Sequence, residues 1–428
     1  MKKVKYLIGI RKQVYNNYIK VYVFMYFVRQ IMMKDFPLKN FTRFLKRLLL
    51  FLSKMKFNKY VKSGSFTKVA LYVPAFPSKA FFKACRKVMI SDSKMPCITV
   101  LISITSGCRY RCEHCYQKLD LGKDVDLNLL CSVTKKLDEM GVAFFNIEGG
   151  EPFLVFGRLV QVCKSISVGE IWVNSTGDGI TIDRLKQLKA LGLKGIMFSI
   201  HSSVPQKINS FMKREYAWDN LVNGIKCCHE TGVEVAANTC ILKEDYYNGN
   251  FQAILNLEKE LGVSIVQLIK PKPSGGWLGR ELDEFKTKDL DYIRKMADDY
   301  NNKFKFKDYP YIAAQISDEN KDMFGCTAGG TDRFYINAKG DVQPCEFLNI
   351  SFGNIRNEEF ETIYNRMRKS FDVPGDNWLC EKCSKKIFEI VKSNNITALP
   401  LSKELSEQVI ESWDPGDVPD FYDKVVKI

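Results

Sequence analysis

From residue 97 to residue 269 the sequence alternates between short apolar runs and longer stretches with helical periodicity. This alternation leaves few folds open. The strand-like runs cover 97–105, 143–147, 170–174, 195–200, 233–241 and 264–269. Between them, apolar residues recur at three- and four-residue steps over 127–140, 158–165, 182–191, 218–230 and 249–261. Strands separated by helices build a parallel sheet with right-handed crossovers. The expected fold class is therefore α/β, and six such units can curl into a partial barrel. Chemistry would then sit at the C-terminal ends of the strands.

The first of those ends carries Cys108, Cys112 and Cys115 in eight residues. Thiolates at spacings of four and three let one loop wrap a metal centre. Two readings meet that spacing. An iron-sulfur cluster would take three thiolates and leave one iron open to an outside ligand. A zinc ion would require a fourth Cys or His, and His114 is awkward for joint ligation because it adjoins Cys115. A second group, Cys326, Cys345, Cys380 and Cys383, has enough thiolates to saturate either zinc or a 4Fe-4S cluster. The remaining cysteines of the total of 14 are Cys85, Cys97, Cys131, Cys163, Cys227, Cys228 and Cys240. They read as small buried hydrophobes.

The use of cysteine for metal or redox chemistry fits a reducing compartment. The apolar run at 6–10 is too short for a signal peptide, and Arg11-Lys12 follows at once. No run reaches the roughly 18 apolar residues of a membrane span. A cytoplasmic protein is expected, with peripheral attachment to the inner face of the membrane left open.

The net charge of +15 has one location. Residues 1–62 hold 16 of the 64 Lys and Arg and one of the 49 acids, Asp35. The rest of the chain is balanced. Apolar positions Phe41, Phe44, Leu45, Leu48, Leu49, Leu52 and Met55 make a helical stripe, and Tyr15, Tyr18, Tyr22, Tyr26 and Phe27 mark a helix before it. Asp35-Phe36-Pro37 breaks the two. A basic amphipathic helix reads first as a membrane-surface element. A lid packed on the body is the second reading. Nucleic acid comes last, because the aromatics sit on a burial stripe and not where bases stack.

The expected organisation is a basic amphipathic helical arm (1–62), a transitional segment (63–96), an α/β core (97–300), a cysteine-bearing domain (301–395) and a tail (396–428). Within the transitional segment, 68–73 reads as a strand, 74–77 as a turn and 78–90 as a helix. Beyond the core, 283–300 and 359–368 read as helices. Residues 334–337 and 342–345 read as a hairpin turned by Lys339-Gly340-Asp341.

The motif Cys108-x3-Cys112-x2-Cys115 after the first strand resembles the signature of the radical S-adenosylmethionine (SAM) superfamily. So does Gly149-Gly150-Glu151-Pro152 at the end of the second strand. The resemblance implies a partial (β/α)6 TIM-like barrel in which the three cysteines hold a catalytic 4Fe-4S cluster. It also implies a SAM site. His114 would lie near the adenine, and Gly149, Gly150, Glu151 and Pro152 near the methionine ammonium. Ser199 and Asn238, at the fourth and fifth strands, would be further contacts. The distal cysteines resemble the SPASM and Twitch auxiliary-cluster extensions, a small α+β domain. No cysteine follows Cys383, so one auxiliary 4Fe-4S cluster with four protein ligands is implied. The implied chemistry is reductive cleavage of SAM to a 5′-deoxyadenosyl radical that takes hydrogen from an organic substrate. The electron would come from a donor such as flavodoxin or ferredoxin. The basic arm favours a membrane-associated or lipid-linked substrate. Ribosomal-peptide modification is the alternative, and a non-catalytic iron-sulfur carrier or redox sensor the rival of another class.

Overall fold

The computed structural model describes residues 4–36, 41–89 and 97–426. The N-terminal part begins with β1 (Lys5–Leu7), α1 (Gly9–Met32) and α2 (Phe41–Lys54). It continues with β2 (Tyr60–Ser63), β3 (Phe66–Lys68) and α3 (Lys79–Met89). The three strands form a small antiparallel sheet. The body then runs β4 (Thr99–Ser103), α4 (Leu127–Glu139), β5 (Phe144–Glu148), α5 (Phe156–Lys164), β6 (Glu170–Ser175), α6 (Ile182–Ala190) and β7 (Leu193–Ser199). It goes on through α7 (Pro205–Met212), α8 (Ala217–Thr231), β8 (Glu234–Cys240), α9 (Asn250–Glu260), β9 (Ile265–Ile269), α10 (Thr287–Asn302) and β10 (Tyr311–Ala314). The C-terminal part holds α11 (Gln315–Asp318), β11 (Arg333–Ile336), β12 (Val342–Gln343), α12 (Phe360–Ser370), α13 (Leu379–Lys382), α14 (Ser384–Ser393), α15 (Lys403–Ile410) and α16 (Asp420–Val426).

Nine strands make one sheet in the order β10-β9-β8-β7-β6-β5-β4-β11-β12. All neighbours from β10 to β11 are parallel, and only β12 runs antiparallel. The six expected strands are therefore present and gain one parallel neighbour at each side. The expected hairpin does form, but its first strand pairs with β4, so the sheet continues past residue 300 into the cysteine-bearing region.

Strand residues alternate between two faces. Phe145, Ile147 and Val173 join the large core under the helices. Phe144, Trp172, Met197, Ala236, Ile265, Tyr311 and Ala313 face the other way and meet Val61 and Leu71 in one cluster. Side chains from β5 through β10 converge on a single segment, so the sheet is curled around it. Leu71, with Tyr72 beside it, is this plug, while Val69, Ala70 and Val73 pack on the cluster of the arm. Of the strand expected at 68–73 only Lys68 lies in a strand, at the end of β3, and the rest is apolar because it is buried between the barrel interior and the arm, not because it pairs. A buried ion pair pins it: Lys68 Nζ lies 2.8 Å from Glu170 Oε1. Glu170 also accepts from Trp172 Nε1 at 2.8 Å and from the Ala75 amide at 2.7 Å.

The expected arm is folded against the body. Ile19, Val23 and Phe27 of α1 and Phe44, Leu48 and Leu52 of α2 are buried with Phe76, Phe81 and Phe82. Each such side chain contributes about 1.5–3 kcal/mol when fully buried. The α2 stripe is thus a packing face, and for α2 the lid reading replaces the membrane reading. Lys54 of α2 pairs with Asp420 of α16 at 2.6 Å, so part of the expected tail is tied to the arm. Pro37 of the expected break and Ile90 of the expected helix lie outside the described residues.

Candidate active site

The loop after β4 reaches the C-terminal end of the sheet, where Cys108 is exposed and Cys112 and Cys115 are half-buried. The Gly149-Gly150 turn after β5 is pressed against it. The Gly150 amide donates to Thr105 O at 2.8 Å, and the Glu151 amide to Gly107 O at 3.0 Å. A Cβ on Gly149 would come within 2.6 Å of Thr105 O, and one on Gly150 within 2.2 Å of Gly107 O. Gly149 also has φ of +149°. Neither position tolerates a side chain, which is the physical reason for the paired glycines.

A cavity of about 810 Å3 lies against this loop, inside the range of small-molecule sites. It is lined by Cys108, Cys112, Cys115, His114, Gly149 and Gly150, and also by Ser199 and Asn238. Ser199 and Asn238 are register partners at the ends of β7 and β8. Eight sequence-predicted residues therefore share one space.

Glu151 and Pro152 do not line it. The Glu151 carboxylate is fully buried. It accepts from the Thr176 amide and hydroxyl, both at 2.7 Å, from Ser175 Oγ at 2.9 Å and from the Phe153 amide at 3.1 Å. With every lone-pair direction taken, it braces the turn against the end of β6 and does not face a ligand. Burial pushes its pKa up to about 7.

Two carboxyls do line the cavity, Asp120 and Glu148, and the sequence reading passed over both. Tyr116 OH donates to Glu148 at 2.7 Å and Asn174 Nδ2 at 2.8 Å. Burial, with the nearby Glu346 charge, raises the Glu148 pKa to about 8. His201 was also missed. Its Nδ1 accepts from the Cys240 amide at 3.2 Å, so in the neutral ring Nε2 carries the proton. The His114 ring stacks on Phe211 at 4.6 Å and meets His201 edge-on at 4.7 Å. Burial holds it neutral, with a pKa of about 4. Cys240 lines the cavity too, so it is more than the core hydrophobe expected.

Six buried polar atoms around this space have no hydrogen-bond partner: His114 Nδ1, Gln117 Oε1, Asn174 Oδ1, His201 Nε2, Asn238 Oδ1 and Trp277 Nε1. Unmet buried polar atoms cost about 1–3 kcal/mol each. Their convergence on one cavity fits a polar ligand of many hydrogen-bonding groups, beside the three thiols of the loop; among the described residues no three His, Cys, Asp or Glu side chains are already gathered around one metal-ion position.

The second cysteine group lies along the sheet's other edge. Cys345, Cys380 and Cys383 are buried and Cys326 is half-buried. The Cys326 amide donates to Gly375 O at 2.8 Å. Cys380 and Cys383 sit one turn apart around α13. Burial is the main reason the Cys326, Cys345 and Cys380 thiols are raised, and each also feels another member of this set or a neighbouring carboxylate.

Comparison with known proteins identifies two domains. The Radical SAM superfamily profile matches residues 102–249, and an iron-sulfur cluster-binding SPASM domain matches residues 326–384. The chain carries a radical SAM domain followed by a SPASM domain. It is an enzyme, and its two domains imply a catalytic 4Fe-4S cluster, SAM and auxiliary iron-sulfur binding. An AdoMet-dependent heme synthase of Nitratidesulfovibrio vulgaris is 21% identical over 299 residues, 65% of this chain and 81% of that one. A GTP 3′,8-cyclase of Clostridium perfringens is 28% identical over 180 residues, 39% of this chain and 54% of that one. This radical SAM chain thus spans about half the length of the cyclase relative. Among solved structures, Streptococcus suis SuiB is similar with a TM-score of 0.53 at 14% identity, covering 73% of this chain and 78% of that one. Native anSMEcpe with bound AdoMet gives 0.50 at 16%, covering 77% and 95%. At these identities the structural likeness speaks to the fold.

Proposed function

We propose that the enzyme cleaves SAM reductively in the 810 Å3 cavity and takes a hydrogen atom from a membrane-associated or lipid-linked substrate. In this reading Cys108, Cys112 and Cys115 hold the catalytic cluster within a core spanning 97–300. Cys326, Cys345, Cys380 and Cys383 hold one auxiliary cluster within 301–395, since no cysteine follows Cys383. When bound, the reduced cluster supplies SAM with the electron that yields a 5′-deoxyadenosyl radical. The observation that carries the reading is the convergence of six unpartnered buried polar atoms on the cavity that receives three thiols.

The chain's own residues do the rest. Gly149 and Gly150 bring backbone to the ligand. His114 Nδ1, Asn174 Oδ1 and Asn238 Oδ1 accept its donors, and His201 Nε2 donates. Phe211 and Trp277, packed around His114, exclude water. Glu148 keeps a proton at its carboxyl near neutral pH and presents a neutral hydrogen-bonding group to the substrate side. The test is reductive incubation of the reconstituted protein with SAM and dithionite. 5′-Deoxyadenosine is the expected product, and its absence with the iron sites filled would sink the reading. In the cell the electron would come from a flavodoxin or ferredoxin.

The membrane part rests on α1. Opposite its buried face, Val14, Tyr18, Val21, Met25, Val28 and Met32 form a second apolar stripe. Val21 is 61% exposed, Met25 58% and Met32 79%. A solvated helix carries one apolar face, not two. Arg11 and Arg29 flank this stripe, and Asp35 is the lone acid of residues 1–62. A second copy of the same basic surface would repel it, whereas anionic headgroups complement it. No described helix is long and apolar enough to cross a membrane. We therefore propose a cytoplasmic enzyme that rests on the membrane surface through α1.

A peptide substrate is the second reading. SuiB has been solved with its precursor peptide, and residues 4–89 contain a three-stranded sheet that the sequence reading lacked. Adding a peptide strand needs an open edge. The β3 edge is engaged, because Thr67 and Phe76 exchange both backbone hydrogen bonds at 2.8 and 2.9 Å. The other edge, β1, pairs with β2 on one side, so a peptide strand would have to add there.

A further inference from the structure

We propose that the lateral gap of the open barrel is a binding site for a hydrocarbon chain, the apolar part of the substrate. This rests on the lipid-linked reading and gives it a place in the fold.

The sheet has two edges that do not meet, β10 on one side and β11 with β12 on the other. A second cavity of about 220 Å3 fills the gap between them. Ala313 of β10 stands on one wall and Arg333 of β11 on the other. Phe51 of α2, Phe324 and Phe421 of α16 cover the outer end. These three rings pack on one another with centroids 5.0–6.3 Å apart. At the inner end, Ile269 and Phe347 line both this cavity and the catalytic one. The chamber therefore adjoins the site where hydrogen would be taken, and its far end is walled by the arm.

The chamber has an apolar part, with Phe51, Met55, Leu71, Ile98, Ile269 and Phe324, that suits a hydrocarbon, and its ionisable lining is Lys87, Asp318, Glu319, Asp332, Arg333 and Glu346. Glu319 and Arg333 pair across the gap and are internally neutral. The Asp318 carboxyl is pushed up to about 7 by burial, and Asp332 to about 6. Polar headgroups find the catalytic cavity better equipped, with Lys118, Lys213 and Arg111 on its lining. A chain seated past Phe347 would leave the group next to it among the residues of the SAM cavity. The site thus sorts an amphiphile by its two ends.

The probe is cis-parinaric acid, a fatty acid whose fluorescence rises in apolar surroundings, titrated into the full-length reconstituted protein. Saturable binding at one equivalent is expected. Ala313→Phe fills the chamber and should weaken it by at least about tenfold, equivalent to about 1.4 kcal/mol. The surface variant Val21→Glu/Met25→Glu should bind as wild type. Unsaturable binding, or binding indifferent to Ala313→Phe but lost in the surface variant, overturns the proposal. If Ala313→Phe does not fold, Phe51→Trp supplies a second readout. Its added emission should be quenched by 12-bromododecanoic acid, and no quenching overturns the proposal. Protein that forms 5′-deoxyadenosine yet ignores the probe refutes the chamber and leaves SAM cleavage standing. Protein that binds the probe without forming 5′-deoxyadenosine does the reverse.

Discussion

Lys272 Nζ lies 2.8 Å from Glu381 Oε1 and 3.3 Å from the centroid of the Trp378 ring. Lys270 takes the other oxygen of the same carboxylate at 2.7 Å. Both lysines line the catalytic cavity, and Glu381 follows Cys380. One carboxylate thus ties the end of β9 to the auxiliary cysteine loop. Removing one partner of a buried pair costs about 3–5 kcal/mol. Glu381→Gln should therefore lower the thermal midpoint of the reconstituted protein by several degrees, measured by circular dichroism. Adding Lys272→Met should recover part of the loss, because the more deeply buried of the two stranded charges is then gone. An unchanged midpoint in the single variant would refute the tie.

Iron content separates the two cysteine groups. Cys108→Ala/Cys112→Ala/Cys115→Ala protein should keep about four irons and lose reductive SAM cleavage. Colorimetric iron and acid-labile sulfide report the first, chromatography of 5′-deoxyadenosine the second. Retention of zinc in place of iron would contradict the single auxiliary cluster.

Gly150→Ala tests the contact between the paired glycines and the cysteine loop. The new methyl would sit 2.2 Å from Gly107 O, so the loop must move. Overpacking of this kind costs about 1–3 kcal/mol. Reduced catalytic-site iron with the auxiliary site still filled is expected from iron analysis. Gly157→Ala, where nothing lies within 4 Å, is the control that should behave as wild type.

Stability should fall as pH rises through neutrality, and Glu258 is one cause. Burial raises its pKa from 4.5 to about 8, against the bond donated by Thr239. Between those values the folded chain holds a proton that the unfolded chain has lost, so folding becomes less favourable as pH increases. Glu258→Gln keeps the acceptor for Thr239 and removes the titration. Thermal melts should show the variant more stable than wild type near pH 8, with the gap closing toward about pH 5. A gap independent of pH would disprove this account.

Liposome co-sedimentation reads the α1 stripe. Wild type should pellet with vesicles containing phosphatidylserine, and added salt should release it, since each basic residue near an anionic surface is worth about 1 kcal/mol. Val21→Glu/Met25→Glu should stay in the supernatant. Equal pelleting of both would remove the membrane proposal.

The sequence displays the barrel strands well because each is a continuous apolar run, as parallel strands buried on both faces must be. β10 is hidden by its length, four residues after a loop, and β11 by its partner, since a hairpin signature does not say which sheet it joins. β1 to β3 are three or four residues each, with lysines among them. The cysteine loop and the paired glycines are legible because they are local. The direction of a carboxylate is not. Glu151 looks outward in the motif, yet Ser175 and Thr176, two dozen residues on, claim it. Glu148 faces the cavity because strand alternation and Asn174 of the next strand put it there. Residues 69–73 misled for a related reason: an apolar run records burial and does not say whether the burial is in a sheet or between the barrel interior and the arm.

That plug also fixes an order of events. Tyr72 OH donates to Gln267 across 195 residues, and Tyr6 OH to Val263 across 257. Tyr6 and Tyr72 cannot reach their final contacts until residues 263 and 267 have been made. Contacts this distant in sequence form slowly, so the curled sheet closes around its filling late, and the segment before it must be kept from other apolar surfaces until then. For the same reason a truncation at residue 62 would not trim an appendage. It would pull the stopper's anchor from a finished barrel.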